Sequence, residues 1–166
     1  MLWIAIFLPE LSLQSHCRGA LSHLSDLPLV LSDGVANRPH VHAANARARE
    51  AGITPMMPVV AAQARTAEVI VVPRDTSKEE AALTQIALWL TQFTPMTCRE
   101  PAGASLEVST TLRLFGGIAA IANRIRTGIT SLGFHAVIGI APTPLGAYLL
   151  APLAEPPPHP RPQARP

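Results

Sequence analysis

The order in which hydrophobic periods follow one another from Glu68 to Ile140 limits the fold more than any other feature of the chain. Glu68–Val72 (EVIVV) is β-branched and closed by Pro73, the pattern of a strand. Thr76-Ser77-Lys78-Glu79 has the spacing of a capping box, and Leu83, Ile86, Leu90 and Phe93 then repeat as one helical stripe. Met96–Glu100 and Ala104–Ser109 flank Pro101-Ala102-Gly103, a hairpin signal. Gly117 precedes a second helix with Ile118, Ile121, Ile125 and Ile129 inward. Gly133 ends it, and His135–Ile140 reads as a strand. With the apolar run Leu2–Leu8 (LWIAIFL) as a further, central strand, the chain predicts an α+β, ferredoxin-like (split βαβ) layer.

The stretch between Pro9 and Glu68 interrupts that layer. It offers a weakly periodic helix over Glu10–Ser22, a strand over Leu27–Leu31 with Pro28 marking an edge, and a turn at Ser32-Asp33-Gly34. A helix over Ala43–Ala51 with Gly52 as C-cap and a short helix over Pro58–Arg65 follow. The expected organisation is therefore a layer built from residues 1–9 and 68–154 and an inserted small, mainly helical subdomain over 10–67. The tail over 155–166 (EPPPHPRPQARP) is expected to be disordered or polyproline-like. The uncharged run Ala136–Ala154 is broken by Gly139, Pro142, Pro144 and Pro152, so it predicts a strand, a turn and a helix, with no membrane span.

Composition excludes more than it proposes. Charged residues make up 14% of the 166 and the net charge is +2, which does not by itself announce a nucleic-acid binder. Cys17 and Cys98 are too far apart for a metal knuckle or redox pair, and a reducing, cytoplasmic setting is the expectation. Met1–Pro9 lacks the basic start of a signal peptide. There is no P-loop and no Gly-x-Ser-x-Gly. His40-x-His42 has no third ligand near in sequence, so no metal site is expected there.

Taken in order, several segments resemble the Y-family (UmuC-domain) translesion DNA polymerases. LWIAIFLPELSL stands where that family has its first strand and first metal motif. HAANARAREAGITPMMP is similar to its fingers signature, with Met56 at the second glycine of the turn. LEVSTTLRLFGG is similar to the segment after the second metal motif, and HAVIGIAPTPLGAYLLA to the strand, turn and helix that close the palm. The TLRLFGG stretch resembles the ImuB-like branch, a polymerase-like subunit of a bacterial mutagenesis complex.

The resemblance implies a palm over 1–9 and 68–154, fingers over 10–67, and two divalent metals held by carboxylates, the arrangement that template-directed nucleotidyl transfer uses. Carried over, the metal-ligand positions fall on Phe7, Pro9, Ala102 and Gly103, none of which can ligate a metal. The expectation is thus no bound cofactor (Mg2+ in active relatives), no catalytic residue, and a pseudoenzyme rather than an enzyme. Glu10, Glu100 and Glu107 are the carboxylates nearby in sequence. Glu107 reads as a plain strand residue or as a shifted ligand, and the first is preferred.

The resemblance also places Arg49 where the family has an arginine that reaches the incoming triphosphate. Arg47 lies beside it, and Ala46 stands where an aromatic is usual. These two arginines are either a phosphate-binding remnant or solvated helix residues. Arg113, Arg124 and Arg126 are read as surface charges. The implied role is scaffolding in DNA repair and damage-induced (SOS) mutagenesis, with mutagenesis-complex proteins and DNA as partners. The family's clamp-binding region has no counterpart, and a premature end or frame change is expected near Ala154. The alternatives are an active nucleotidyltransferase with rearranged carboxylates and a non-functional remnant.

Overall fold

The computed structural model describes residues 1–18, 26–34 and 37–154. The chain divides into two compact units, Met1–Pro9 with Leu83–Pro166, and Glu10–Ala82. The end of the expected Glu10–Ser22 helix and the expected disordered tail lie outside the described residues.

The first unit is built on a four-stranded antiparallel sheet in the order β5-β6-β1-β7. β1 (Trp3–Phe7) is central, which is why it is apolar at every position. Its neighbours are β6 (Gly103–Glu107) and β7 (Val137–Ala141), and β5 (Thr97–Glu100) forms the expected hairpin with β6 across Pro101-Ala102. Strand alternation sends Trp3, Ala5 and Phe7 to one face. Trp3 and Ala5 pack there with Ala147 and Tyr148 of α7 (Pro144–Ala154). Ile4 and Ile6, on the other face, are fully buried, and α6 (Ile118–Ser131) lies against β7 with Ile121, Ile125 and Ile129 inward.

Leu83, Ile86 and Leu90 of α4 (Thr76–Leu90) and Phe93 beyond it are all buried, as their spacing predicts. Trp89 of α4 occupies the space that a side chain at Gly128 of α6 would need. A one-turn helix, α5 (Leu112–Phe115), sits before α6 and is closed by Gly116 in the left-handed region. The uncharged C-terminal run is a strand, a turn and a helix, and among the described residues no helix is long and apolar enough to cross a membrane.

The second unit has a three-stranded sheet, β3-β2-β4, and short helices. β2 (Leu29–Asp33) pairs antiparallel with β3 (His40–Ala44) and parallel with β4 (Ile70–Pro73). The helices are α1 (Leu11–Cys17), α2 (Ala46–Glu50) and α3 (Val59–Arg65). Its core is Val30, Val41, Ala44, Ala48, Ile53 and Ala62.

Three local expectations change here. The strand near residue 70, expected in the palm layer, joins the second sheet, because its partner is β2 along Leu29↔Ile70 to Ser32↔Pro73. The expected helix over Ala43–Ala51 begins only at Ala46. Ala43 and Ala44 finish β3, and Asn45 caps the helix by accepting from the Ala48 N–H at 2.9 Å. The capping residue of α4 is Asp75, whose carboxylate accepts from the N–H groups of Ser77 and Lys78, and Thr76 is already inside the helix.

Candidate functional site

The positions singled out as metal ligands by resemblance do come together. Phe7 is paired with Gly103 at the end of the β1–β6 ladder, and the Leu8 N–H donates to the Ala102 carbonyl at 2.8 Å. Pro9 lies two residues beyond the end of β1 and is exposed. None of these residues has a side-chain oxygen or nitrogen. Position 103 is also closed to any side chain, because a Cβ there would overlap the Ile6 carbonyl. A carboxylate at 103 would need the β1 backbone to move. The residues present therefore do not fit a pair of divalent metals held at these four positions. Among the described residues no group of three or more His, Cys, Asp or Glu side chains could hold a metal ion.

Tyr148 of α7 contacts two of these four positions. Its hydroxyl accepts from the Ala102 N–H at 3.1 Å, and its ring meets Phe7 edge-on, with centroids 5.9 Å apart and planes at 71°. No local sequence pattern singles out this residue, which reaches the hairpin across 46 positions of chain.

The alternative carboxylates of this unit are committed elsewhere. Glu107 pairs with Trp3, at the opposite end of the ladder from Phe7, about 13 Å away at ~3.3 Å per strand residue. It is buried, and its Oε1 accepts the N–H groups of Leu2 and Ser109, each at 3.1 Å. Hydrogen bonding from Ser109 and from the Leu2 backbone outweighs burial and holds its carboxyl below the ordinary range. This is the strand-residue reading of Glu107, with a capping duty. Glu100 accepts from the Ser105 hydroxyl at 2.7 Å.

In the second unit Arg49 of α2 is held by groups outside its own helix. Its Nη1 donates to the Ala44 carbonyl at 2.8 Å, and its Nη2 donates to Glu10 Oε1 at 3.0 Å. Its side chain remains 44% exposed, so a ligand can reach it. Arg47 is an exposed i,i+3 partner of Glu50 at 3.2 Å. Met56, which stands where the resemblance places a glycine, lies in the left-handed region: its φ is +67°, and its N–H donates to the Val41 carbonyl at 2.7 Å. This turn therefore carries left-handed strain in a residue with a Cβ.

A second polar group in this unit was not legible beforehand. Arg74 donates from Nε and Nη2 to both oxygens of buried Glu79, at 2.8 Å each, and from Nη1 to Asp33 at 3.0 Å. The forked geometry is why an arginine stands here. It lowers the carboxyl pKa values of Glu79 and Asp33 and raises that of Arg74 itself. His42 lies 3.2 Å from the Ser12 hydroxyl, and burial followed by the charge of Arg74 depresses its pKa. Glu79 had been read only as part of a capping box. In the first unit, Arg124 lies 5.5 Å over the Phe115 ring, and Arg126 donates to Asn123 at 2.9 Å.

The sequence profile of the impB/mucB/samB family matches residues 12–151. The chain belongs to that family. No curated protein gives a significant match. Among solved structures, DinB from Sulfolobus solfataricus is similar at a TM-score of 0.75 and 22% identity over 94% of this chain. A post-insertion binary complex of Dbh DNA polymerase is similar at 0.80 and 22% over 94%. A Y-family DNA polymerase chimera containing Dbh is similar at 0.75 and 22%, again over 94%. The chain spans less than half the length of these structures, 46%, 46% and 47% of them respectively. The expected α+β fold is therefore that of the palm region of Y-family polymerases. The expectation that the chain is not an enzyme does not stand. The chains it matches are DNA polymerases, and nothing in the matches sets it apart as inactive.

Proposed function

We propose that this chain works in the cytoplasm in DNA repair, as the palm and fingers of a Y-family-type nucleotidyltransferase acting in translesion synthesis. In damage-induced (SOS) mutagenesis it also serves as a scaffold on which the other proteins of a mutagenesis complex, of the kind its ImuB-like TLRLFGG stretch suggests, meet the DNA. The observation that carries the proposal is the combination of the β5-β6-β1-β7 sheet with a fold match to Dbh DNA polymerase over 94% of the chain. Arg49 is the proposed phosphate contact. A triphosphate would replace Glu10 on Nη2, while the Ala44 carbonyl keeps Nη1 and so the orientation of the guanidinium. Arg47, turned to Glu50, would add charge to the approach rather than a directed bond.

The test is extension of a labelled primer on a template by the purified chain, with magnesium or manganese supplied. The expected result is template-dependent incorporation. Arg49→Ala should raise the nucleotide concentration needed by about tenfold, the loss of roughly 1.4 kcal/mol of binding. Absence of extension together with absence of primer–template binding would overturn the proposal.

A further inference from the structure

The end of the β1–β6 ladder is built, and three observations show how. The first is the approach of α7. This helix lies across β7, β1 and β6, and at Gly139 it comes so close that a Cβ would overlap the Ala147 carbonyl and stand 2.6 Å from the Ala151 nitrogen. Glycine is required there for the helix to sit on the sheet at this depth. The second is what that depth achieves: Tyr148, one residue after Ala147, reaches the β5–β6 turn with its hydroxyl and Phe7 with its ring. The third is the state of Ala102. Its N–H donates to Tyr148 and its carbonyl accepts from Leu8, so both polar groups of this turn residue are tied to neighbouring chain.

We infer that Tyr148 clasps the end of β1, the β5–β6 turn and α7 into one closed, aromatic-lined surface, and that this surface takes the place of a divalent-metal pair at Phe7, Pro9, Ala102 and Gly103. The Ala102 carbonyl accepts from Leu8, which ties the turn to the chain leaving β1. The one position on β6 facing the end of β1, Gly103, admits no side chain. Hard cations need several oxygen ligands, and this surface presents none from those four side chains. Tyr148 thus acts through Ala102 as a positioning residue for the turn. The inference concerns only these four positions and is read without nucleotidyl transfer.

The test uses manganese alone and the full chain. In backbone amide spectra, Mn2+ should leave Leu8, Ala102 and Gly103 no more broadened than the rest of the sheet. Tyr148→Phe, which keeps the ring and removes the acceptor, should speed amide exchange at Ala102 by tenfold or more while the Leu8 amide changes little. Because the chain has a single tyrosine, fluorotyrosine labelling gives a second readout in a chain that needs no substitution: its fluorine signal should stay sharp as Mn2+ is added. Selective broadening of Leu8, Ala102 and Gly103, or of the fluorine signal, overturns the inference. So does an Ala102 exchange rate that Tyr148→Phe leaves unchanged. Primer extension is read separately, so its failure and the failure of the clasp are distinguishable.

Discussion

The two ends of the β1–β6 ladder solve opposite problems. At the Trp3↔Glu107 end the chain buries a carboxylate, and it can do so because the N–H groups of Leu2 and Ser109 converge on one oxygen. At the Phe7↔Gly103 end neither of the paired residues carries a carboxylate, and a tyrosine hydroxyl satisfies the turn amide instead. The comparison shows that a buried charge in this sheet depends on backbone donors already turned inward. At the other end the Ala102 N–H meets a neutral hydroxyl, and aromatic packing closes the surface.

The strongest way to break this contrast is to force a carboxylate into the closed end. Gly103→Asp should destabilise the first unit by about 3 kcal/mol or more, since the Cβ can be accommodated only by moving the β1 backbone. Urea unfolding followed by tryptophan fluorescence would measure it. Next is the loss of the charge at the other end. Glu107→Ala removes the acceptor of two backbone amides and should cost about 2 kcal/mol at neutral pH.

That second cost should depend on pH. The Glu107 carboxyl titrates lower in the folded chain than in the unfolded one, so its contribution is present above the unfolded carboxylate range. It is lost as pH falls through the folded value. The gap between the parent chain and Glu107→Ala should therefore narrow in acid, and unfolding at several pH values checks this. Tyr148→Phe should cost about 1 kcal/mol, one neutral hydrogen bond. Met56→Gly, placed at neither end, calibrates the scale. It relieves a left-handed residue that is 73% exposed and should stabilise the second unit by about 0.5 kcal/mol.

The palm layer was legible because its elements carry strong local patterns. The Pro101-Ala102-Gly103 turn announced the hairpin, and the isoleucines of α6 announced a buried stripe. Matching the family's motifs onto those elements was enough to bring Phe7 and Gly103 opposite one another. The second unit was harder. His40–Ala44 ends in alanines that favour helix, yet it pairs with β2 across a bulge between Leu31 and Ser32, and the sheet overrides propensity. The strand at Ile70–Pro73 has the right type, but its parallel partner lies some forty residues earlier, which no local period encodes. The same is true of Arg74 with Asp33 and of Tyr148 with Ala102. Each joins residues that only the fold makes neighbours. The expectation of a chain that is not an enzyme rested on four missing carboxylates, a local observation, and the family match together with the likeness to polymerase structures set it aside.

The most direct test of the account is equilibrium binding of the full chain to a fluorescent primer–template duplex, with single-stranded DNA of the same length as reference. The account predicts saturable binding that prefers the primer–template junction, weakens as salt rises, and weakens further with Arg49→Ala when a nucleoside triphosphate is present. Equal affinity for both DNAs, or no binding at any accessible concentration of the folded chain, would contradict it.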